Sequence, residues 1–203
     1  MSGANRYLSA GLAAYSVTVA IEFGRKGSGA RKMELQKAKA IAEELERLLA
    51  PECQRILVAG SIRRRKPFPN DIELLAIPRF VDGVDLLDEE IKKLMAEGLL
   101  GYRRNKRGFI AYGPKNKLLV HLPSGIGLDV FSTTEECWWV SLVVRTGGET
   151  TNKRIAMAAI RKGWHLMAYG RGFSTPRGDV VCRSEEEVFR AVGFPYPAPW
   201  ERD

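Results

Sequence analysis

Two carboxylates one residue apart, Asp71 and Glu73, stand in the run NDIELLAI, shortly after a Gly-Ser pair at Gly60 and Ser61. On a strand, alternate side chains share a face, so both acids project to the same side of a sheet. A third acid, Asp129 in GLDVF, lies in another apolar run and adds an oxygen donor from a neighbouring strand. Hard oxygen donors in this number suit two Mg²⁺ ions and in-line phosphoryl or nucleotidyl transfer. Gly60 lets backbone amides approach a phosphate, and Ser61 adds a hydroxyl donor. Alone, a Gly-Ser pair is an ordinary turn, and Arg63-Arg64-Arg65-Lys66 is a solvated charge run. Their spacing to the acidic pair shifts the reading toward chemistry. Acids in an apolar strand need compensation, whether from metal ions or from the adjacent arginines.

The elements that must position these residues can be read from periodicity. Met33–Leu49 carries apolar residues at helical spacing and is stopped by Pro51. Arg55–Ala59 and Ile72–Ile77 read as strands, and Asp85–Glu97 as an amphipathic helix ended by Gly98. Phe109–Tyr112, Lys117–Leu122 and Gly127–Ser132 read as further strands. Cys137–Val144 is an apolar, Trp-containing run broken by Arg145-Thr146-Gly147-Gly148, and Thr151–Lys162 is a helix. Trp164–Tyr169 and Asp179–Cys182 suggest a small hairpin, followed by a helix over Ser184–Val192 with a Ser184/Glu187 capping box. The fold class is α+β, a mixed sheet with helices followed by a small C-terminal lobe.

A chain of 203 residues suffices for one domain or two small lobes. Its 32 Lys and Arg against 24 Asp and Glu give a net charge of +8, which suits a polyanionic partner such as nucleic acid. The three cysteines, Cys53, Cys137 and Cys182, have no metal-ligand spacing, which points to free thiols in a reducing, intracellular compartment. The run Tyr7–Phe23 is interrupted by polar residues and reads as an element of the fold, and Arg25–Lys32 as a basic Gly-rich linker.

The motif GSIRRRKPFPNDIE, together with GLDVF, RTGGETTN and the closing SEEEVFRAVGFPYPAPWERD, resembles the X family of DNA polymerases, the polymerase β-like nucleotidyltransferases. The resemblance covers about Met33 to Asp203. It implies a palm with a mixed β-sheet and flanking helices over 33–143 and a small α/β thumb over 144–203, after an N-terminal extension at 1–32. It implies that Asp71, Glu73 and Asp129 hold two Mg²⁺ ions, or Mn²⁺. Ser61 and Arg64 match positions that hold the nucleotide's outer phosphates, with Gly60 and Asn70 in the same motif. Thr146, Gly147 and Gly148 match the segment against the sugar, and Asn152 the residue that reaches the base. Trp138 falls where the family has an aromatic hinge; simple core packing is the other reading.

The resemblance further implies a DNA-directed DNA polymerase that adds dNTPs to a primer, a monomer with no membrane association, filling short gaps in repair. Upstream of Met33 there is too little chain for the family's lyase and fingers domains, as in a compact viral member acting in the host cell. Arg103, Arg104, Lys106, Arg107, Lys115 and Lys117, with Lys153, Arg154, Arg161 and Lys162, are then candidates for DNA phosphate contacts. Glu73 stands in place of the family's usual Asp, and Val144-Arg145 in place of its aromatic sugar gate. Untemplated or other nucleotidyl transfer, and a non-catalytic DNA-binding module, are the alternatives.

Overall fold

The helical spacing after Met33 produces α1 (Leu35–Leu49), which buries Ala38, Ala42, Leu45 and Leu49 along one stripe. This computed structural model describes residues 33–105 and 107–203. The expectations for 1–32 (the run Tyr7–Phe23, the linker and the N-terminal extension) and for Lys106 lie outside the described residues.

From α1 the chain enters β1 (Cys53–Val58), a single-turn helix α2 (Gly60–Arg63) and β2 (Asp71–Pro78). A two-stranded ribbon, β3 (Phe80–Val81) and β4 (Val84–Asp85), leads into α3 (Leu86–Ala96), capped by the Asp85 side chain on the Asp88 amide. Then come β5 (Leu100–Tyr102), β6 (Asn116–His121) and β7 (Gly127–Ser132). The main sheet has the order β1-β2-β7-β6-β5, and β2 and β7 form its parallel pair. The C-terminal part comprises α4 (Trp138–Thr146), α5 (Glu149–Arg161), a sheet of β8 (His165–Leu166), β9 (Gly172–Ser174) and β10 (Val180–Val181), and α6 (Glu185–Ala191). Among the described residues no helix is long and apolar enough to cross a membrane.

Three expectations are corrected. Phe109–Tyr112 makes only isolated bridges, Arg104 with Ile110 and Tyr112 with Lys117, because Asn105 folds this segment into a tight turn by accepting from the Arg107 and Phe109 amides. The Trp164 and Asp179 segments do not pair with each other; β9 lies between β8 and β10. The Gly60-Ser61 turn is the start of α2, closed by Arg63 and Arg64 amides on the Ala59 and Gly60 carbonyls.

The two faces of the main sheet differ. Ile72, Leu74, Ala76, Leu119, Leu128 and Val130 meet α1 and α3 in one continuous core. On the other face, Leu75, Ile77 and Phe131 pack under Trp138 and Leu142 of α4. The opposite side of α4, Val140 and Val143, joins Ile155, Phe173, Val188 and Phe189 in the C-terminal core. One helix therefore serves two cores. Trp138 is buried beneath it, with the Arg55 guanidinium 4.3 Å from its ring centroid. Replacing Trp138 with Ala opens a cavity between the sheet and α4, and we expect a loss of about 3–5 kcal/mol in equilibrium urea unfolding. A loss below about 1 kcal/mol would show that Trp138 does not hold this interface.

Candidate active site

On β2, burial alternates: Ile72 and Leu74 go into the α1 core, while Asp71 and Glu73 point to the other face. The parallel register sets Asp71 opposite Gly127 and Glu73 opposite Asp129. Strands pair at about 4.8 Å, so Glu73 and Asp129 are lateral neighbours with Asp71 one pleat away on the same face. Further along both strands this face is Leu75 and Phe131, covered by α4. The three acids thus occupy the half of the face that the Trp138–Leu142 cluster leaves uncovered.

Crowding like charges in a half-buried site has an electrostatic consequence. Burial pushes the Glu73 carboxyl up to about 7, the Asp71 and Asp129 charges push the same way, and Arg64 and Arg145 oppose them. Burial also raises Asp129, against the Arg103 guanidinium that pairs with it.

The turn from β1 to α2 is built against these acids. Gly60 has φ +60, and a Cβ there would fall 1.6 Å from Glu73 Oε2, so any side chain would strain the backbone and push the Glu73 carboxylate aside. Ser61 Oγ is buried and has no partner among the described residues. Asn70, just before the acidic pair, is exposed.

Arginines of this turn reach the end of α4. Arg64 donates to the Thr146 carbonyl, and Arg63 donates to Thr146 Oγ1 at 2.6 Å. Arg63 also grips the buried Glu185 carboxylate through both terminal nitrogens, at 2.9 and 2.7 Å. Arg202, buried, donates to the same carboxylate at 2.9 Å, and Tyr196 at 3.2 Å. Burial alone would raise Glu185; Arg63 and Arg202 override it and hold the carboxyl below its usual range.

Gly147 has φ +65, and a Cβ would lie 3.2 Å from Arg64 Nη1. At Gly148 a Cβ would overlap the Asp203 carbonyl at 1.1 Å, so the last residue of the chain fills that space. Asn152 donates to the Val144 carbonyl at 2.8 Å, and its buried Oδ1 has no partner among the described residues.

The structure brings together Gly60, Ser61, Arg64, Thr146 and Gly147 with the acids, but disperses the expected DNA contacts. Arg103 is turned inward onto Asp129. Arg104 donates to the Gly108 carbonyl, and Arg107 is exposed in the same turn. Lys117 is buried and faces Asp85 and Asp88 at 3.7 and 3.6 Å, a structural charge rather than a surface one. Lys153 pairs with Glu149 at 2.5 Å, and Arg154 lies over Phe194, both on α5. Two contacts at the site had no signal in the sequence, although both arginines were named there for other roles. Arg145 is stacked on Phe131, 3.7 Å from its centroid, and donates to the Tyr169 hydroxyl at 2.6 Å. The pairing of Arg103 with Asp129 likewise joins residues that no local pattern connects.

As the side chains stand, among the described residues no three acids, histidines or cysteines converge into an ion cage. The donor set nevertheless fits a hard cation: it is all carboxylate, and its mutual repulsion is what a cation relieves.

The raised Glu73 carboxyl makes a stability prediction. Between about 4.5, its ordinary value, and about 7 the folded protein holds a proton that the unfolded chain has released. The unfolded state then binds fewer protons, so stability falls as pH rises through that window. We expect the wild type to lose on the order of 2–3 kcal/mol across it relative to Glu73→Gln. Parallel pH–stability curves for the two proteins would contradict the assignment.

Residues 141–203 match the family model described as DNA polymerase beta thumb, a segment beginning inside α4. No curated protein matches the sequence. Among solved structures, the chain is similar to polymerase beta of Leishmania infantum, described as a ternary P/T complex, with a TM-score of 0.66 and 21% identity. That likeness covers 86% of this chain and 77% of the Leishmania chain. The chain therefore has a polymerase β-like fold, and its residues 141–203 match the DNA polymerase beta thumb model.

Proposed function

We propose that the protein is a nucleotidyltransferase that extends a DNA primer on a template. The primer 3′-oxygen attacks the α-phosphorus of a deoxynucleoside triphosphate, and pyrophosphate leaves. The observation that carries this reading is the parallel register that puts Glu73 beside Asp129, with Asp71 on the same uncovered half-face. Asp71, Glu73 and Asp129 would hold two Mg²⁺ ions, or Mn²⁺, which when bound supply Lewis-acid activation of the hydroxyl and charge screening of the triphosphate.

The remaining roles belong to the chain's own groups. Ser61, with its buried, unpartnered hydroxyl, and Arg64, anchored on the Thr146 carbonyl, hold the outer phosphates. Gly60 and Asn70 flank that subsite. Thr146, Gly147 and Gly148 form the wall against the sugar, and Asn152 offers its free Oδ1 to the base. Arg104, Arg107, Lys153 and Arg154 contact DNA phosphates. In this reading 33–143 is the palm and 144–203 the thumb, the partner is gapped or primer-template DNA, and the setting is short-gap repair. The Leishmania protein, described as a polymerase beta in a ternary P/T complex, supports the same class of partner.

The pairing of Arg103 with Asp129 favours a second reading, a DNA-binding module whose acids are neutralised internally. Extension of a gapped duplex with Mg²⁺ or Mn²⁺, each dNTP and rNTP offered separately, decides between them. We expect the correct dNTP to be incorporated, and Asp129→Ala to lose at least about 100-fold in rate. Equal rates for Asp129→Ala and wild type would sink the polymerase reading. Gap binding without extension would favour the module, and untemplated addition to a single strand would favour terminal transfer.

A further inference from the structure

Three guanidinium groups act on the acidic half-face, and they are held differently. Arg64 is fixed on the Thr146 carbonyl. Arg145 is clamped between the Phe131 ring and the Tyr169 hydroxyl. Arg103 has no such clamp. Among the described residues its side chain bonds to Asp129 alone, and its Nε is buried without a partner. It reaches Asp129 over Gly127, where a Cβ would stand 3.0 Å from the guanidinium carbon. Any larger residue at 127 would press on the guanidinium that covers Asp129.

The pair is also partly open, with side-chain exposures of 32% for Arg103 and 16% for Asp129. Solvent at the guanidinium end screens the pair only in part, and the mostly covered carboxylate needs another cation once Arg103 leaves. A single guanidinium on Asp129 moreover leaves the repulsion between Asp71 and Glu73 in place. A divalent cation offers twice the charge to all three carboxylates at once.

We propose that Arg103 is the exchangeable counter-ion of this face: it covers Asp129 when no cation is bound and is displaced from it by a divalent ion. The proposal rests on the reading that Asp71, Glu73 and Asp129 hold divalent ions. Arg64 and Arg145, which have anchors other than the acids, stay in place. The displaced guanidinium begins the basic turn that carries Arg104 and Arg107, so ion binding also releases a positive charge toward that turn.

The test is Mn²⁺ binding to the full chain without nucleotide or DNA, counting free Mn²⁺ by electron paramagnetic resonance. Arg103→Gln should bind Mn²⁺ at least about fivefold more tightly than wild type. Arg103→Lys, which keeps the charge on a shorter arm, should fall between them. Lys115→Gln, which removes one charge beside Tyr169, should stay within about twofold of wild type. Saturating Mn²⁺ should raise the Tm of Arg103→Gln more than that of wild type, because the variant begins with an uncovered carboxylate.

Equal affinities for wild type and Arg103→Gln overturn the proposal, as does a gain matched by Lys115→Gln or no Mn²⁺ binding by any of them. If Arg103→Gln does not fold, Arg103→Lys decides, and an affinity equal to wild type overturns the proposal. Exchange without primer extension leaves the proposal standing while the polymerase reading falls. Extension with equal Mn²⁺ affinities removes the proposal alone.

Discussion

Everything at this site depends on one constraint: carboxylates projecting from the two strands at the centre of an apolar sheet. Their backbone neighbours Ile72, Leu128 and Val130 are fully buried, so neither strand can slip by a residue without driving an acid into the α1 core. The register of β2 against β7 is therefore fixed by the same alternation that creates the site. An unpaired charge there is costly, and the surroundings respond with cations from three separate parts of the chain. Arg64 comes from the loop after α2, Arg103 from the end of β5 and Arg145 from the end of α4. The apolar half of the same face needs no such compensation, because α4 covers it.

The second organising feature is the join between the Gly60 turn and the C-terminal lobe. Arg63 and Arg64 are adjacent in sequence and both end on Thr146, one on its hydroxyl and one on its carbonyl. Arg63 continues to Glu185, which Arg202 and Tyr196 complete. A buried ion pair gives little net stability compared with apolar packing, yet removing one member leaves a stranded charge at a cost of about 3–5 kcal/mol. Its contribution is better understood as specificity of position. The Glu185 carboxylate, held from several directions, permits one placement of α6 relative to the turn that bears Ser61.

The long periodic segments were legible in the sequence. The α1 stripe, the strands around Asp71 and Asp129, and the Ser184 cap all followed from local spacing, since each depends on neighbours within a few positions. The same holds for the shared face of Asp71 and Glu73. Failures occurred where a local preference yielded to distant or side-chain partners. Phe109–Tyr112 has β-type composition, but Asn105 captures the Phe109 amide and turns the chain at its start. The short strand β9 lacks any alternation long enough to detect and exists because β8 and β10 flank it. Lys117 reads as a surface cation, yet its strand alternation buries it against Asp85 and Asp88. Arg103 on Asp129 and Arg145 on Tyr169 are contacts over 26 and 24 residues of separation, which no window of sequence reveals.

The glutamate at 73 shows how the details constrain one another. A glutamate has one more methylene than an aspartate, so its carboxylate must find room further from the strand. Here Glu73 Oε2 occupies the place where a Cβ at residue 60 would stand. Gly60 thus satisfies two demands at once, a positive φ at the entry to α2 and an empty volume for the longer acid. The Ala59 amide donates to the Glu73 carbonyl at 2.8 Å, which ties the backbone of the turn to the residue that fills its gap. The Gly-Ser pair and the acidic pair, ten residues apart in sequence, are therefore a single packed unit. The longer side chain of Glu73 uses the space that a glycine at 60 leaves open.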